Sequence, residues 1–351
     1  MTTTQTYNLQ CPLPVGETGF VQLGHGSGGL MTHRLLDQLV FPLFSNDQLA
    51  RKHDGALLDL NGSIAVSTDS YVVSPLLFPG GSIGDLAVNG TVNDLAMCGA
   101  KARFLSLALI IEEGLPLDIL KRILNDIRRA AEAAGVSIIT GDTKVVEKGK
   151  GDQLFINTTG IGLVHPQAMI DSHRVGSGDK ILLSGPLARH GITIMSQRKG
   201  IDFETGLTSD TRPLSDIVHK LISRFGSAIH FLRDPTRGGL ATTLNELAND
   251  CKYSLLIREE AIPVEEEVAG ACEMLGLDPL FVANEGIFIA VVAPEIADEV
   301  KFTIQQEEFG QQASIIGEVS DDRASEVLLQ NRYGGKRVIR MLAGEQLPRI
   351  C

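Results

Sequence analysis

Two stretches of this 351-residue chain alternate β-branched and polar side chains. Residues 63–73 (SIAVSTDSYVV) and 154–164 (LFINTTGIGLV) show this pattern, which is typical of strands with one buried face. Between them, residues 117–134 place apolar side chains three and four positions apart, which predicts an amphipathic helix. Gly135 follows as a stop signal, because glycine readily adopts the left-handed conformation that ends many helices.

A polar segment, residues 171–180 (DSHRVGSGDK), separates this half of the chain from a second pattern of alternating helices and strands. We predict an α/β fold with two domains. The expected helices of the second half cover 214–225, 239–250 and 265–275, and the expected strands cover 255–257, 287–293, 313–319 and 336–341. The predicted organisation is an N-terminal extension (1–20), an N-terminal domain (21–170), a C-terminal domain (171–342) and a mobile tail (343–351).

Composition and charge exclude several classes of partner. A content of 43% hydrophobic and 21% charged residues is ordinary for a globular protein. The balance of 31 basic and 43 acidic residues gives a net charge of −12, which argues against nucleic acid or an anionic membrane as the main partner. Since no apolar run approaches the roughly 20 residues that span a bilayer, we expect a cytosolic protein.

The five cysteines are scattered and form no CxxC pair, so they indicate neither a disulfide framework nor a zinc site. Cys98 and Cys272 have apolar neighbours and are expected to be packed thiols. Cys351 is different, because it is the last residue of the sequence EQLPRIC. A reactive thiol at the most mobile point of a chain calls for a functional explanation.

Four aspartates stand beside small or turn-forming residues at the edges of hydrophobic elements: Asp54, Asp69, Asp94 and Asp142. Carboxylates at such positions can point into a shared cleft. Oxygen ligands from separated segments are what Mg²⁺ held with a nucleoside triphosphate requires. The alternative for each aspartate is a role in capping a helix or a turn.

Polar residues also recur at four-residue intervals in the segment 82–99, at Asp85, Asn89 and Asn93. On a helix they line one face, which either is solvated or approaches a ligand or a partner helix. Lys144 stands two residues after Asp142. Such a lysine can neutralise a transferring phosphoryl group or take part in proton transfer, although most lysines are merely solvated.

In the second half, the sequence DPTRGG places Gly238 and Gly239 before a predicted helix, where their free amides can face an anion while Asp234 and Thr236 cap the helix. An ordinary capped helix is the alternative. In ANEG, Glu285 precedes a buried strand. It is either a turn residue or a partly desolvated base.

Seven motifs together resemble the HypE family of hydrogenase maturation factors. These are GHGSGG (24–29), STDS (67–70), ND (93–94), TGDTKVV (140–146), DPTRGG (234–239), ANEG (283–286) and the terminal PRIC (348–351). The resemblance runs from about Gly24 to Cys351. The family belongs to the superfamily of aminoimidazole ribonucleotide synthetase, selenophosphate synthetase and thiamine monophosphate kinase.

The resemblance implies a two-domain α/β fold, in which the N-terminal domain pairs with its copy in a homodimer to form a barrel-like sheet. It implies that ATP and Mg²⁺ bind in the cleft between the domains. It also implies a reaction: the carbamoyltransferase HypF loads the terminal thiol, and ATP then drives dehydration of the thiocarbamate to a thiocyanate. The product would pass to the HypC–HypD complex as a cyanide ligand of [NiFe] hydrogenase.

Site residues follow from the resemblance position by position. It implies Cys351 as the carrier, and Lys144 and Glu285 as candidates for charge neutralisation and N–H deprotonation, in an order that stays open. The implied ligands of Mg²⁺ and ATP are Asp54, Asp69, Asp94 and Asp142 for the metal and Asn93, Thr140, Thr236, Gly238 and Gly239 for the nucleotide.

Two alternatives compete with this interpretation. Another ATP-using member of the superfamily is one, although selenophosphate synthetase would be expected to carry a reactive Cys or selenocysteine in the loop that reads GHGSGG here. A non-catalytic, nucleotide-gated scaffold is the other. A complete set of acidic residues and Lys144 argues against the scaffold, which has no use for a magnesium site.

Overall fold

A computed structural model describes residues 19–51, 53, 55–200, 206–322, 324–342, 344 and 349–351. The predicted N-terminal extension (1–20) therefore lies outside the described residues except for positions 19 and 20. Asp54 also lies outside them. In the described part of the chain, no helix is both long and apolar enough to cross a membrane.

The first half of the chain forms a four-stranded sheet with strand order β1-β6-β4-β5, in which only the β4–β5 pair is parallel. Its elements are α1 (Leu30–Leu35), α2 (Phe41–Phe44), α3 (Asp47–Ala50), β1 (Ile64–Tyr71), β2 (Leu77–Phe78), β3 (Gly81–Ser82), α4 (Ile83–Met97), β4 (Ala100–Glu112), α5 (Leu117–Ala134), β5 (Ser137–Val146) and β6 (Leu154–Val164). The predicted strands β1 and β6 and the predicted helix α5 are confirmed. Gly135 ends α5 with φ 66°, as expected for a left-handed C-cap.

This sheet has two unlike faces. On the inner face, leucines such as Leu105, Leu107 and Leu109 pack in the core with α4 and α5. The outer face leaves Ile64, Val66 and Ile110 exposed by 48%, 65% and 44%. Since side chains alternate between the two faces along each strand, the face of any residue follows from its register.

The second half forms a seven-stranded sheet with strand order β13-β12-β9-β11-β7-β10-β8. Its elements are β7 (Lys180–Leu183), α6 (Arg189–Lys199), α7 (Ser215–Phe225), β8 (Ile229–Arg233), α8 (Gly239–Cys251), β9 (Leu255–Arg258), α9 (Glu266–Leu275), β10 (Ile289–Val292), α10 (Ala297–Gln305), β11 (Ser314–Val319), β12 (Val327–Gln330) and β13 (Lys336–Ile339). All three predicted helices and all four predicted strands are present. Helices α6, α8 and α9 pack on one face of the sheet, and α7 and α10 pack on the other.

The polar stripe on α4 joins the two halves. The Asn89 side chain donates to Thr211 Oγ1 at 3.1 Å. The Asn93 side chain donates to the carbonyl oxygen of Arg212 at 3.0 Å and accepts from the backbone N–H of Leu214 at 2.7 Å. Both asparagines are buried. At Asn89 and Asn93 the stripe therefore faces a partner segment and not solvent, whereas Asp85 caps the start of α4 through Ser82. The boundary at residue 171 stays a prediction.

Candidate functional site

A cavity of about 590 Å³ opens between the two halves of the chain. It brings together five of the predicted site residues: Asp69, Asp94, Thr236, Glu285 and Cys351. These residues come from β1, α4, the segment before α8, the segment before β10 and the last position of the chain. The resemblance implied a nucleotide site in the cleft between the domains, and this cavity lies between the two halves of the chain.

Asp69 and Asp94 form the acidic floor of the cavity. Asp69 lies on the inner face of β1, and Asp94 faces it from α4. The Ser67 hydroxyl donates to Asp94 Oδ2 at 2.7 Å, which fixes the orientation of that carboxylate. Burial raises the pKa of Asp94 despite this hydrogen bond. Burial, reinforced by the charge of Asp94, raises the pKa of nearby Asp234 to about 7.

Asp142, Lys144 and Thr140 lie elsewhere. Asp142 pairs in register with Ala108 and Lys144 with Ile110, which puts both side chains on the outer face of the sheet. There Lys144 Nζ lies 2.8 Å from Asp142 Oδ1, with both side chains more than half exposed. This contact lowers the pKa of Asp142.

The sequence suggested that the aspartates point into a shared cleft. In a single copy of the chain, the described aspartates do not share one cleft. The physical reason is strand register, which turns the side chain of Asp142 away from α4 and from the cavity. The glycine-rich stretch 24–29 packs against β5 at Val145. A side chain at Gly26 would overlap the backbone of Val145, so the close approach requires glycine.

The start of α8 differs from its prediction. The backbone N–H of Gly239 donates to the carbonyl oxygen of Thr236 at 2.9 Å, so this amide is not free to bind an anion. Gly238 is the N-cap, with φ 76°, and no side chain caps the helix. The expected capping by Asp234 and Thr236 is therefore wrong, because the turn closes through its own backbone. Thr236 does line the cavity, whereas Asn93 is fully engaged with the segment 212–214.

Glu285 is buried in the cavity wall. Its Oε1 atom is buried without a hydrogen-bond partner among the described residues. Burial raises the pKa of Glu285 well above its usual value, and the negative charges of Asp210 and Asp234 add to the effect. Burial therefore disfavours the ionised form of this carboxyl group, and a cation entering the cavity would favour it.

Cys351, the predicted carrier, lines the cavity. The Cys351 carbonyl oxygen accepts a hydrogen bond from the backbone N–H of Val72 at 3.1 Å, and Ile350 is buried in the N-terminal core. Burial raises the pKa of the Cys351 thiol to about 12, with a further contribution from Glu285. Residues 349–351 are thus docked in the structure, whereas 343 and 345–348 lie outside the described residues, and the predicted mobility of the tail stays a prediction.

Sequence reasoning missed two cations that line the cavity, Arg233 and Arg237. Arg237 lines the cavity, lies 3.4 Å from Asp69, and has its pKa raised chiefly by the thiolate form of Cys351. The sequence does contain a signal for Arg237, because it stands inside DPTRGG between two predicted site residues, Thr236 and Gly238. Cys98 was expected to be packed but is exposed on the cavity wall, because it follows the last residue of α4. Cys272 is buried as expected.

The donor set is suited to a hard cation held together with phosphate. Mg²⁺ usually takes one or two protein carboxylates and completes its shell with water and substrate oxygens. Asp69 and Asp94 can supply those carboxylates. The described residues contain no group of three or more ligands that would hold a metal by themselves. A magnesium ion here would therefore depend on the nucleotide.

Comparisons with known proteins agree with this geometry. Residues 52–164 match the N-terminal domain and residues 176–330 the C-terminal domain of the family described as AIR synthase related protein. The carbamoyl dehydratase HypE of Bradyrhizobium diazoefficiens is 49% identical over 95% of this chain and 96% of its own length. The protein of the same name from Escherichia coli is 41% identical over 94% of this chain and 99% of its own length.

Solved structures of HypE proteins are also similar to this chain in fold and in sequence. A crystal structure of hydrogenase maturation protein HypE in complex with ATP has a TM-score of 0.90 and 47% identity, covering 94% of this chain and 99% of that one. A HypE–HypF complex contains a chain with a TM-score of 0.77 and 43% identity, over 88% of this chain and 99% of that one. This chain belongs to the HypE family of hydrogenase maturation proteins, within the AIR synthase related fold.

Proposed function

We propose that this protein uses ATP to dehydrate a carbamoyl group carried on Cys351 to a thiocyanate, and so supplies the cyanide ligands of [NiFe] hydrogenase. One observation carries the proposal: the last residue of the chain lies in the same cavity as Asp69, Asp94 and Glu285. The names of the relatives, carbamoyl dehydratase, support it. The related structure with ATP supports the choice of nucleotide.

In the overall reaction, protein-bound S–C(=O)–NH₂ and ATP give S–C≡N, ADP and phosphate. Transfer of the terminal phosphoryl group to the amide oxygen makes that oxygen a good leaving group. One N–H proton leaves when the oxygen is phosphorylated, and the second leaves as phosphate departs. The residues of the site therefore have to orient the amide, accept protons and offset negative charge.

Glu285 is our candidate for the proton acceptor. It faces the cavity that holds Cys351, whereas Lys144 of the same copy lies on the opposite face of the N-terminal sheet. Its raised pKa makes Glu285 a strong base once it is ionised. The Arg237 guanidinium faces Cys351 and Asp69, where it can offset negative charge on the reacting group.

Asp69 and Asp94 are our candidates for holding Mg²⁺ with the triphosphate. The crowding of Asp69, Asp94 and Asp234 supports this choice: burial, reinforced by repulsion from neighbouring carboxylates, raises the pKa values of Asp94 and Asp234, and a cation relieves that repulsion. Bound Mg²⁺ would neutralise charge on the phosphates. Asp54, Thr140 and Gly238 stay predictions as nucleotide or metal contacts. Asn93 and Gly239 also stay predictions, but each would first have to release its present hydrogen-bond partner.

We also propose a homodimer formed through the outer face of the N-terminal sheet. The exposed apolar side chains of Ile64 and Ile110 support this pairing. In such a dimer, Asp142 and Lys144 would lie in the interface and not in water, because they share that face. Any role of these two residues, and of Thr140, in the reaction would then depend on dimerisation.

The proposed partners are a HypF carbamoyltransferase, which loads the thiol, and a HypC–HypD complex, which accepts the cyanide. The related HypE–HypF complex supports the first. The proposal places the protein in the cytosol, where ATP is available and thiols stay reduced. It keeps a boundary between domains 21–170 and 171–342, with a tail at 343–351.

A mass measurement tests the function. The protein is carbamoylated by HypF with carbamoyl phosphate and ATP, purified, and then mixed with ATP and Mg²⁺ or with a non-hydrolysable ATP analogue. The C-terminal peptide is expected to lose one water with ATP and to keep it with the analogue. A peptide that stays carbamoylated with ATP would show that the protein is not a dehydratase. Cys351→Ala is the control, which should bind ATP but gain no carbamoyl group.

A further inference from the structure

The last three residues of the chain lie against the segment that follows β1 as an added antiparallel strand would. The backbone N–H of Val72 donates to the Cys351 carbonyl oxygen at 3.1 Å, and that of Ser74 donates to the Arg349 carbonyl oxygen at 3.4 Å. The Arg349 side chain donates to the carbonyl oxygen of Val72 at 3.0 and 3.1 Å and forms an ion pair with Asp152. The N-terminal half thus holds one side of the tail.

Helix α6 of the other half holds the opposite side. His190 Nε2 donates to the Ile350 carbonyl oxygen at 2.9 Å, and Arg198 Nη2 donates to the Arg349 carbonyl oxygen. Arg198 Nε also donates to the carbonyl oxygen of Ser74 at 2.5 Å. Because they are eight positions apart, His190 and Arg198 lie on one face of α6, two turns from each other.

The contact from His190 is fixed by its surroundings. The His190 ring is fully buried, and its Nδ1 atom lies 2.8 Å from the Ser209 hydroxyl. Burial lowers the pKa of His190, so the ring is neutral near pH 7. Since Nε2 donates to a carbonyl oxygen, the Ser209 hydroxyl must donate to Nδ1. Loss of this donor would leave the Ile350 carbonyl oxygen buried and unpaired, which is costly.

We propose that His190 and Arg198 are positioning residues that hold the tail so that the Cys351 thiol stays in the cavity. Together they form a clamp on α6 that contacts two consecutive main-chain carbonyl groups of the tail. The clamp does not touch the sulfur atom, so it can grip an empty, a carbamoylated and a cyanated tail alike. Its effect on turnover rests on the proposed function, whereas docking of the tail does not.

The clamp predicts a trade-off between loading and dehydration. Loading by the carbamoyltransferase requires the thiol outside the cavity, and dehydration requires it inside. A weaker clamp increases the undocked fraction of the tail. It should therefore slow dehydration of the loaded protein and leave loading unchanged or faster.

His190→Phe is the first test, because it keeps a flat ring and removes the donor. Access to Cys351 is measured with a maleimide attached to a long polyethylene glycol chain, which is too large for the cavity. The loss of the unmodified C-terminal peptide is followed by mass after cleavage at lysine. Labelling of the full-length variant should be about tenfold faster than labelling of the unaltered protein, as expected when a buried carbonyl loses its partner.

A second measurement separates positioning from folding. Single-turnover dehydration of the carbamoylated variant at saturating ATP should slow by a similar factor, while the KM for ATP stays the same. His190→Gln, whose side-chain N–H can reach the same carbonyl oxygen, should restore both rates in large part. Gln197→Ala, an exposed change on the same helix, is the matched control and should leave both rates unaltered.

If His190→Phe fails to fold, Arg198→Gln provides the test. Arg198 is only partly buried, so its replacement should be tolerated by the fold. This variant should speed labelling and slow dehydration in the same direction. Labelling at the rate of the unaltered protein in Arg198→Gln and in any folded His190→Phe would overturn the clamp. Faster labelling with unaltered dehydration would overturn the positioning role. Failure of the dehydratase function itself is distinguishable, because it would abolish dehydration in every variant but would not alter labelling.

Discussion

The Asp210 carboxylate accepts a hydrogen bond from the backbone N–H of Glu285 at 3.2 Å. A second bond, from the N–H of Gly286 at 3.0 Å, ends on the same oxygen. Asp210 is only 2% exposed, and a side chain at Gly286 would overlap its carbonyl oxygen. Asp210 therefore fixes the turn that presents Glu285 to the cavity, although it is 75 positions away in the sequence.

Asp210→Asn should weaken this turn. The amide keeps one acceptor oxygen but can present its NH₂ group to the two backbone donors, leaving buried N–H groups unpaired. We expect a loss of about 1–3 kcal/mol in the free energy of unfolding, measured in urea, and slower dehydration of the carbamoylated protein. Asp298→Asn, at a position with an 85% exposed side chain, is the control. Unaltered stability of Asp210→Asn would contradict the assigned role.

Asp94→Asn tests the acidic floor of the cavity. The Ser67 hydroxyl can still donate to the asparagine oxygen, so the fold should be retained. Loss of the negative charge should slow ATP-dependent dehydration by at least about tenfold and weaken the response to Mg²⁺. Single-turnover rates across a magnesium titration measure both effects. Asp216→Asn, with an 84% exposed side chain, should behave like the unaltered protein, and wild-type turnover by Asp94→Asn would remove Asp94 from the site.

Glu285→Gln should separate stability from activity. Because the pKa of Glu285 is raised on folding, the folded protein keeps a proton that the unfolded chain releases above its usual pKa of 4.5. The stability of the wild type should therefore fall, relative to the variant, as the pH rises above 4.5, and the difference should vanish in more acidic solution.

Thermal melting across this pH range measures the difference in stability, and the mass of the C-terminal peptide measures dehydration. We expect the variant to be the more stable protein at pH 7 and to remain carbamoylated in the presence of ATP. A melting difference that is constant with pH would show that Glu285 is ionised in the folded protein. Dehydration at the wild-type rate would exclude it as the proton acceptor.

The local pattern of apolar and polar residues is enough to predict the helices and strands, but not which face of the sheet a given side chain occupies. The apolar spacing of α5 and the alternation of β1 and β6 are properties of single segments, so the sequence reveals them. Whether Asp69 and Asp142 share a face depends on strand pairing and on the register shift between Leu105 and Ser106. A sequence read segment by segment contains no information on that shift.

Long-range contacts explain the other differences. The stripe on α4 was visible, but its partners at 211–214 are more than a hundred positions away. The docked tail meets Val72 across 277 positions. His190 has no motif around it, and its role follows only from the packing of α6 against the tail. Residues that position a site through such contacts are the ones that sequence reasoning misses.

Ile110→Glu tests the proposed dimer. Ile110 is 44% exposed on the outer face of the sheet, beside Lys144, so a glutamate there is tolerated in a single copy but would bury charge in a paired face. We expect the unaltered protein to have the mass of a dimer in light scattering and the variant to have that of a monomer. Tyr333→Glu, at a side chain 80% exposed in the other half of the chain, should leave the mass unaltered.

A monomeric unaltered protein would contradict the pairing, and a dimeric Ile110→Glu variant would place the interface on a different face. If the variant is monomeric and also inactive, Asp142 and Lys144 become candidates for residues that act only in the dimer.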